Sequence, residues 1–393
     1  MVKIDLPAET DVVVVGGGPA GLAAALSARG AGLSVLVADR ASFPIDKACG
    51  EGLMPDGMAA LRDLGVTLGP DQGVPFRGIR FLDEDTEAEA SFPHLLGLGI
   101  RRTVLHRILA ERAMSAGVVA AWQTRVDGLA PSGVEIGGRT VRCRWIVGAD
   151  GHHSRVRRWA GLSPAWTGAR RLGVRRHFRV RPWTDLAEVY WHRHCQAYVT
   201  PVGPEEVCVA IIRGRQQTPR FDLPALFPKL AIRLRGAEPV GCERGAISMS
   251  ANLNAVINGR IALIGDASGS VDAVTGEGVA LAFRQATALG PALATGNLAA
   301  YQAVHRRFAR TPRLMARLLL LMDGNERLRK RALRALSARQ RAFSRLLAFH
   351  VGALRPADLS FDILDFGFAL LAPGAAIRRN HPPYARRQPP RIR

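Results

Sequence analysis

The chain has 393 residues, 48% hydrophobic and 22% charged, and its formal net charge of +21 is carried almost wholly by arginine. That is enough to bury a large core, and the length suggests two or three structural regions. The five cysteines (Cys49, Cys143, Cys195, Cys208 and Cys242) are scattered with no C-x-x-C pair, so neither a disulfide frame nor a metal site is indicated.

A reducing, cytoplasmic setting is the simplest expectation. The first apolar run, DVVVVGGGPAGLAAAL, lacks the basic leader of a secretory signal and is broken by glycines. No stretch reaches the ~18 uninterrupted apolar residues of a membrane span. FDILDFGFALLAPGAAI comes closest, but it carries Asp362, Asp365 and Pro373.

In chain order, a strand over Asp11 to Val15 leads through a glycine turn into a helix from Pro19 to about Arg29. A second strand follows over Leu33 to Ala38, which opens a βαβ unit. From about Arg102 to Ala116, Leu105, Ile108, Leu109 and Ala113 recur at helical spacing. RWIVGADG reads as a buried strand ending in a turn. From about Gly168 to Ser250 the texture becomes β-branched between Gly and Pro turns, as in an antiparallel sheet, and RGIRFLDEDTEAEASFP reads the same way. GRIALIGDA returns to a buried strand, followed by a helix from about Gly276 to Leu289, and the remainder is mostly helical. The division expected is a nucleotide domain from segments 1–75, 101–165 and 251–296, a sheet domain from 76–100 and 166–250, and a helical region over 297–393.

Gly16, Gly18 and Gly21 form Gly-x-Gly-x-x-Gly between the first strand and its helix. Gly16 permits the tight turn, Gly18 lets the chain approach a pyrophosphate, and Gly21 lets helix and strand pack closely. Pro19 and Ala20 open a helix whose free N–H groups and positive end suit phosphates. Asp39, followed by Arg40, ends the second strand at the spacing of an acid that binds ribose hydroxyls. Together these predict dinucleotide binding.

The segment ALIGDASGSVDAVTGEGVALAF carries Gly265-Asp266 at a strand end and a glycine-rich loop opening a helix. Here the sequence resembles the FAD-dependent family with the p-hydroxybenzoate hydroxylase fold. The resemblance implies that Asp266 binds ribityl hydroxyls of a non-covalent FAD. It also implies that the helix beginning near Gly276, Glu277 and Gly278 points its positive end at the flavin. GADGHHSRVRR matches the family's Asp-Gly segment through Asp150, Gly151, Ser154 and Arg157, and Arg102 in RRTVLHRIL matches an Arg that reaches the flavin. The resemblance covers about the first 300 residues. The fold class it implies is α/β (α+β overall): a Rossmann-type FAD-binding domain, an inserted antiparallel substrate sheet and a helical C-terminal region.

KACGEGLMP and TGEG resemble the geranylgeranyl reductase branch. The chain departs from that branch at CQAYVTPVG, where Tyr198 and Pro201 remain but the branch's Trp and Phe do not. The halogenase signature Trp-x-Trp-x-Ile-Pro is absent. The departure favours a flavin monooxygenase acting on a hydrophobic aromatic, quinone or polyketide-type substrate, with a reductase of prenyl C=C bonds as alternative and a flavin-binding sensor as a third. Cys49 is either a thiol acting beside the flavin or a small packing residue. His192, His194 and Tyr198 are candidate acid/base groups on the sheet; His152 and His153 read as loop residues. No second glycine motif appears, so NADH or NADPH would visit only transiently.

The positive charge has two readings: a genome's preference for Arg, or attraction to an anionic membrane surface at the inner face. No nucleic-acid motif accompanies it. NERLRKRALRALSARQRAFSRLLAFH sets Leu328, Leu336, Phe343 and Leu347 near one face of a basic helix, which would either lie on a membrane or pack on the protein.

Overall fold

Val12 to Val15 are buried on both faces of their strand, which is why they read as an unbroken apolar run. In the computed structural model the strand Glu9–Val15 lies between two parallel neighbours, Val35–Ala38 and Arg139–Gly148. Parallel pairing continues outward to Val119–Ala121 on one side and Ile261–Leu263 on the other. Helix α1 (Pro19–Gly30) crosses between the first two strands, with Pro at its first position where no N–H is required. Helices α2 (Pro55–Asp63), α3 (Arg102–Ser115) and α4 (Arg155–Trp159) follow in the same layered unit. The structure describes residues 6–193, 195–214, 222–359, 366–367 and 370. His194 and most of the apolar stretch 361–377 lie outside them.

A second sheet has seven strands in the order Glu238–Asn252, Ala165–Arg179, Glu206–Gly214, Cys195–Gly203, Ala187–His192, Gly78–Leu82 and Glu87–Ser91. All its pairs are antiparallel except Ala187–His192 with Gly78–Leu82. Helices α5 (Leu223–Leu226) and α6 (Pro228–Arg233) close one face over Phe178, Tyr190 and Val209. The other face carries Ile79, Val189 and Trp191, which join Met54 and Phe343 in a separate apolar cluster. A small sheet of Gly52–Leu53, Gly97–Gly99 and Val74–Phe76 completes the strands near this face.

Helix α7 (Gly278–Thr295) returns to the first unit and packs on α1. A methyl group on Gly290 would come within 2.3 Å of the Ser27 carbonyl oxygen, so the two helices meet at backbone distance. Then come α8 (Leu298–Phe308), α9 (Arg310–Gly324), α10 (Glu326–Ala338) and α11 (Gln340–His350). The basic segment expected as one helix is two, broken at Arg339, whose backbone leaves the helical region. α10 and α11 lie against the edge strand Glu87–Ser91. Leu336, Phe343 and Leu347 are buried there, and with Leu328 they line an internal cavity. The apolar face of this segment is therefore turned inward.

Candidate active site

One cavity of about 770 Å³ runs from the N-terminus of α1, across the loop 47–52, to helices α9–α11. At its first end Gly16 has φ +112°, and a Cβ there would meet the Ala149 oxygen at 2.4 Å; only glycine makes this turn. A Cβ on Gly21 would overlap the Gly16 carbonyl at 1.8 Å, so α1 sits directly on the turn. Gly18 faces open space, with the Arg102 guanidinium 4.0 Å from its Cβ position. Arg102 opens α3, is 5% exposed, and its Nη1 has no hydrogen-bond partner among the described residues. Burial pulls its pKa down. A buried guanidinium with a free N–H group, beside the open N-terminus of α1, suits an anion.

Asp39 sits where the strand Val35–Ala38 ends. Its two oxygens accept 2.7 Å hydrogen bonds from the N–H groups of Gly17 and Ala41. Each keeps a lone pair for a further donor. Beside it, Phe43, His106 and Trp122 form an aromatic cluster with ring centres 5.5–5.6 Å apart. His106 Nε2 donates to the Gly17 carbonyl at 2.8 Å, and burial drops its pKa to about 4, so the ring is neutral. His106 and Trp122 escaped sequence reasoning because they lie in no glycine motif; only folding brings them to the turn.

The sequence pattern of the FAD binding domain family matches residues 9–222, more than half of the chain. The chain belongs to this family. The flavoenzyme is 31% identical to the menaquinone reductase of Mycobacterium tuberculosis over 306 residues, covering 68% of this chain and 72% of that one. It is 30% identical over 295 residues to digeranylgeranylglycerophospholipid reductase 1 of Methanopyrus kandleri, covering 69% and 76%. Its fold is similar to that of a flavoprotein/dehydrogenase from Cytophaga hutchinsonii, with a TM-score of 0.75, 17% identity, and 91% and 96% of the two chains covered. It is an FAD-dependent oxidoreductase.

FAD fits the residues present. Gly18, Pro19, Ala20 and Arg102 would hold the pyrophosphate, Asp39 the ribose, and Asp266 the ribityl chain. Asp266 lies in a 3₁₀ turn (Gly265–Ser268) and lines the cavity, and its carboxylate has no hydrogen-bond or ion-pair partner among the described residues. Gly276, at φ +68°, and Gly278 line the cavity where α7 begins. Arg40 is exposed outside it.

Three expected flavin-side residues behave differently from their neighbours in sequence. The Glu277 side chain leaves the cavity wall and is buried with Asp56, Arg284 and His350; its carboxylate is 3.6 Å from His350 Nδ1 and 3.9 Å from Arg284. Burial, then the charge of Asp56, pushes Glu277 up to about 8. Asp150 caps α4, accepting from the N–H groups of Arg155 and Val156 at 2.6 and 3.2 Å. Arg157 ties the Asp-Gly segment to the flavin loop by donating to the Ala267 carbonyl at 3.2 Å and the His152 carbonyl at 2.8 Å. His152, read as a loop residue, also lines the cavity.

Of the four catalytic candidates, His194 lies outside the described residues, and two of the other three reach the cavity. Cys49 lines it; its Sγ accepts from the Glu51 N–H at 3.4 Å. Burial and the Glu51 charge raise the thiol pKa, while Arg102 and Arg175 oppose the shift, so the thiol carries its proton near neutrality. Tyr198 lines the cavity, but its hydroxyl donates to the Val274 carbonyl at 2.8 Å and so holds the flavin loop. His192 does not reach it. On Ala187–His192 the odd positions Val189 and Trp191 face the cavity cluster, whereas His192 packs against Phe227, 6.1 Å between ring centres. Strand alternation forces this separation.

A buried network missed in the sequence fixes the Cys49 loop. Glu51, at φ +58° and 4% exposed, accepts from the Arg102 N–H at 3.0 Å and from His177 Nε2 at 2.6 Å. Arg101 and Arg175 donate to His177 Nδ1 at 2.7 and 3.0 Å. Guanidinium groups can only donate, so the imidazole proton is on Nε2. Glu51, His177 and Cys208 cluster as metal ligands can, but a protonated Nε2 offers a metal no lone pair. Gly50 is anchored by the Thr200 hydroxyl at 2.8 Å. These partners are up to 150 residues apart in the chain, which is why no local signal showed them.

Proposed function

We propose that this flavoenzyme reduces carbon–carbon double bonds in the prenyl chain of a lipid. The observation that carries this reading is the far wall of the cavity. Among the lining residues of α9–α11 every side chain except His350 is apolar, including Met315, Leu319, Met322, Leu336, Phe343 and Leu347. Such a wall suits an extended aliphatic chain, and its one polar side chain, His350, is held by Glu277 at 3.6 Å. Hydroxylation of a hydrophobic aromatic, quinone or polyketide-type substrate, the activity favoured by the departure at CQAYVTPVG, would for a phenolic ring call on a base on the substrate side. His192 is on the other face of the sheet and the Tyr198 hydroxyl is engaged by backbone. The relatives named menaquinone reductase and digeranylgeranylglycerophospholipid reductase support the same class of substrate.

When bound and reduced, FAD would supply the hydride that one alkene carbon takes up. Cys49 holds the proton for the other carbon on Sγ. Arg102 and Arg175 ease the negative charge left on the sulfur, which solvent then reprotonates. The apolar wall excludes water from the reacting carbons. NADH or NADPH, in a transient visit, is the source of the electrons.

The test is anaerobic. The photoreduced holoenzyme is mixed with a polyprenyl quinone or a digeranylgeranyl glycerophospholipid in detergent, and flavin oxidation and product mass are followed. Oxidation of the flavin with a gain of two hydrogens on the lipid is expected. Flavin that reoxidises only with oxygen, with an oxygen atom added to an aromatic substrate, would overturn the proposal in favour of a monooxygenase.

A further inference from the structure

We infer that α9 is the mouth of the cavity and docks it onto an anionic bilayer. The lipid passing through that mouth rests on the prenyl reading above; the docking itself does not. Leu314, Leu318 and Leu321 are 47%, 47% and 58% exposed, yet all three also line the cavity. Ile247, across from them on the strand Glu238–Asn252, is 48% exposed and lines it too. Four large aliphatic side chains thus connect the cavity interior directly to the outer surface. Exposed aliphatic side chains gathered at a cavity mouth suit an apolar partner.

The charge around the patch names the partner. At about 100° per residue, Arg310, Leu314, Arg317, Leu318 and Leu321 fall within an arc of about 100° on one side of α9. Arginine stems can therefore lie beside the leucines while their heads reach outward to phosphates. Segment 298–324 holds Arg306, Arg307, Arg310, Arg313 and Arg317 against one acid, Asp323. Asp323 is itself paired with Arg171 at 3.3 Å. Arg306, Arg307, Arg310 and Arg317 have no ion-pair partner among the described residues. An apolar ridge flanked by uncompensated cations matches a bilayer rich in anionic headgroups, and a neutral protein groove would leave those cations unmatched. This contact belongs to α9. The basic segment further along, α10–α11, turns its apolar face into the cavity.

The FAD-loaded full chain is floated with phosphatidylcholine vesicles with and without phosphatidylglycerol. Binding to the anionic vesicles is expected. The triple variant Leu314→Ser, Leu318→Ser, Leu321→Ser should weaken it roughly tenfold or more. Arg310→Glu with Arg317→Glu should remove a similar factor, and only where phosphatidylglycerol is present. Retained flavin absorbance and melting temperature show that each variant is folded. If the triple variant does not fold, Leu318→Trp replaces it: its added indole fluorescence should be quenched by brominated acyl chains. Three results overturn the inference: wild-type protein that ignores anionic vesicles, a folded triple variant that binds as wild type does, or indole fluorescence from Leu318→Trp that brominated lipid leaves untouched. Vesicle binding needs no turnover. Docking through α9 without reduction of any prenyl lipid therefore sinks the reductase reading and leaves the mouth in place. Reduction of detergent-dispersed lipid by a protein that binds no vesicle does the reverse.

Discussion

Replacing Arg102 by Met should move stability and cofactor affinity in opposite directions. The side chain is 5% exposed, its Nη1 has no hydrogen-bond partner among the described residues, and burial lowers its pKa. Without FAD it is a buried cation with too few partners, held there at a cost. Met keeps much of the apolar stem and removes the charge, so the deflavinated variant should be at least as stable as wild type. With FAD bound, the guanidinium would meet the pyrophosphate beside Gly18, 4.0 Å from its Cβ position. A hydrogen bond to a charged group contributes about 1.5–3 kcal/mol, so Arg102→Met should weaken FAD binding about 10- to 150-fold. Flavin fluorescence quenching on titrating deflavinated protein measures the affinity, and urea unfolding of the same samples measures stability. An unchanged FAD dissociation constant would refute the reasoning. So would a large loss of stability without cofactor, because it would make Arg102 a structural residue.

Three further expectations follow from the same geometry. Gly21→Ala places a methyl 1.8 Å from the Gly16 oxygen; overpacking costs about 1–3 kcal/mol or more, and the variant should melt earlier and purify with little flavin. Tyr198→Phe leaves the Val274 carbonyl without its 2.8 Å donor. About 1–3 kcal/mol of stability should be lost, and flavin should dissociate faster as the loop loosens. The folded-state pKa of Glu277, about 8, lies above the ordinary 4.5. The folded protein therefore holds a proton that the unfolded chain releases: this stabilisation is full below about 4.5 and is lost as pH rises through about 8. Urea midpoints of Glu277→Gln should accordingly fall less than those of wild type over that window, by a difference on the order of several kcal/mol in stability. Parallel pH curves for the two proteins would show that Glu277 ionises normally.

What the sequence determined by itself is local. The turn at Gly16, the seating of α1 on Gly21, Pro19 at the helix start and Asp39 at the strand end all depend on backbone conformation within a few residues. Such features are written in residue type and spacing. The change from unbroken apolar runs to β-branched segments also separated the parallel sheet from the antiparallel one, because burial on both faces leaves a different pattern from burial on one.

What the tertiary structure decided is which residues meet. His192 and Trp191 are neighbours in the chain with similar promise as ring side chains, but strand pairing sends Trp191 towards the cavity cluster and His192 to Phe227. Glu277 sits inside the most legible flavin motif, yet its side chain is drawn to Arg284 on the helix it opens and to Asp56 and His350 from α2 and α11. The basic C-terminal segment had an apolar face with two possible destinations, and the sheet edge at Glu87–Ser91 took it. That left the leucines of α9 on the surface. Glu51 and His177, 126 residues apart, meet only because the loop at 47–52 crosses the antiparallel sheet. Periodicity tells which side chains share a face; what that face is buried against is set by long-range packing, for which one segment of sequence holds no signal.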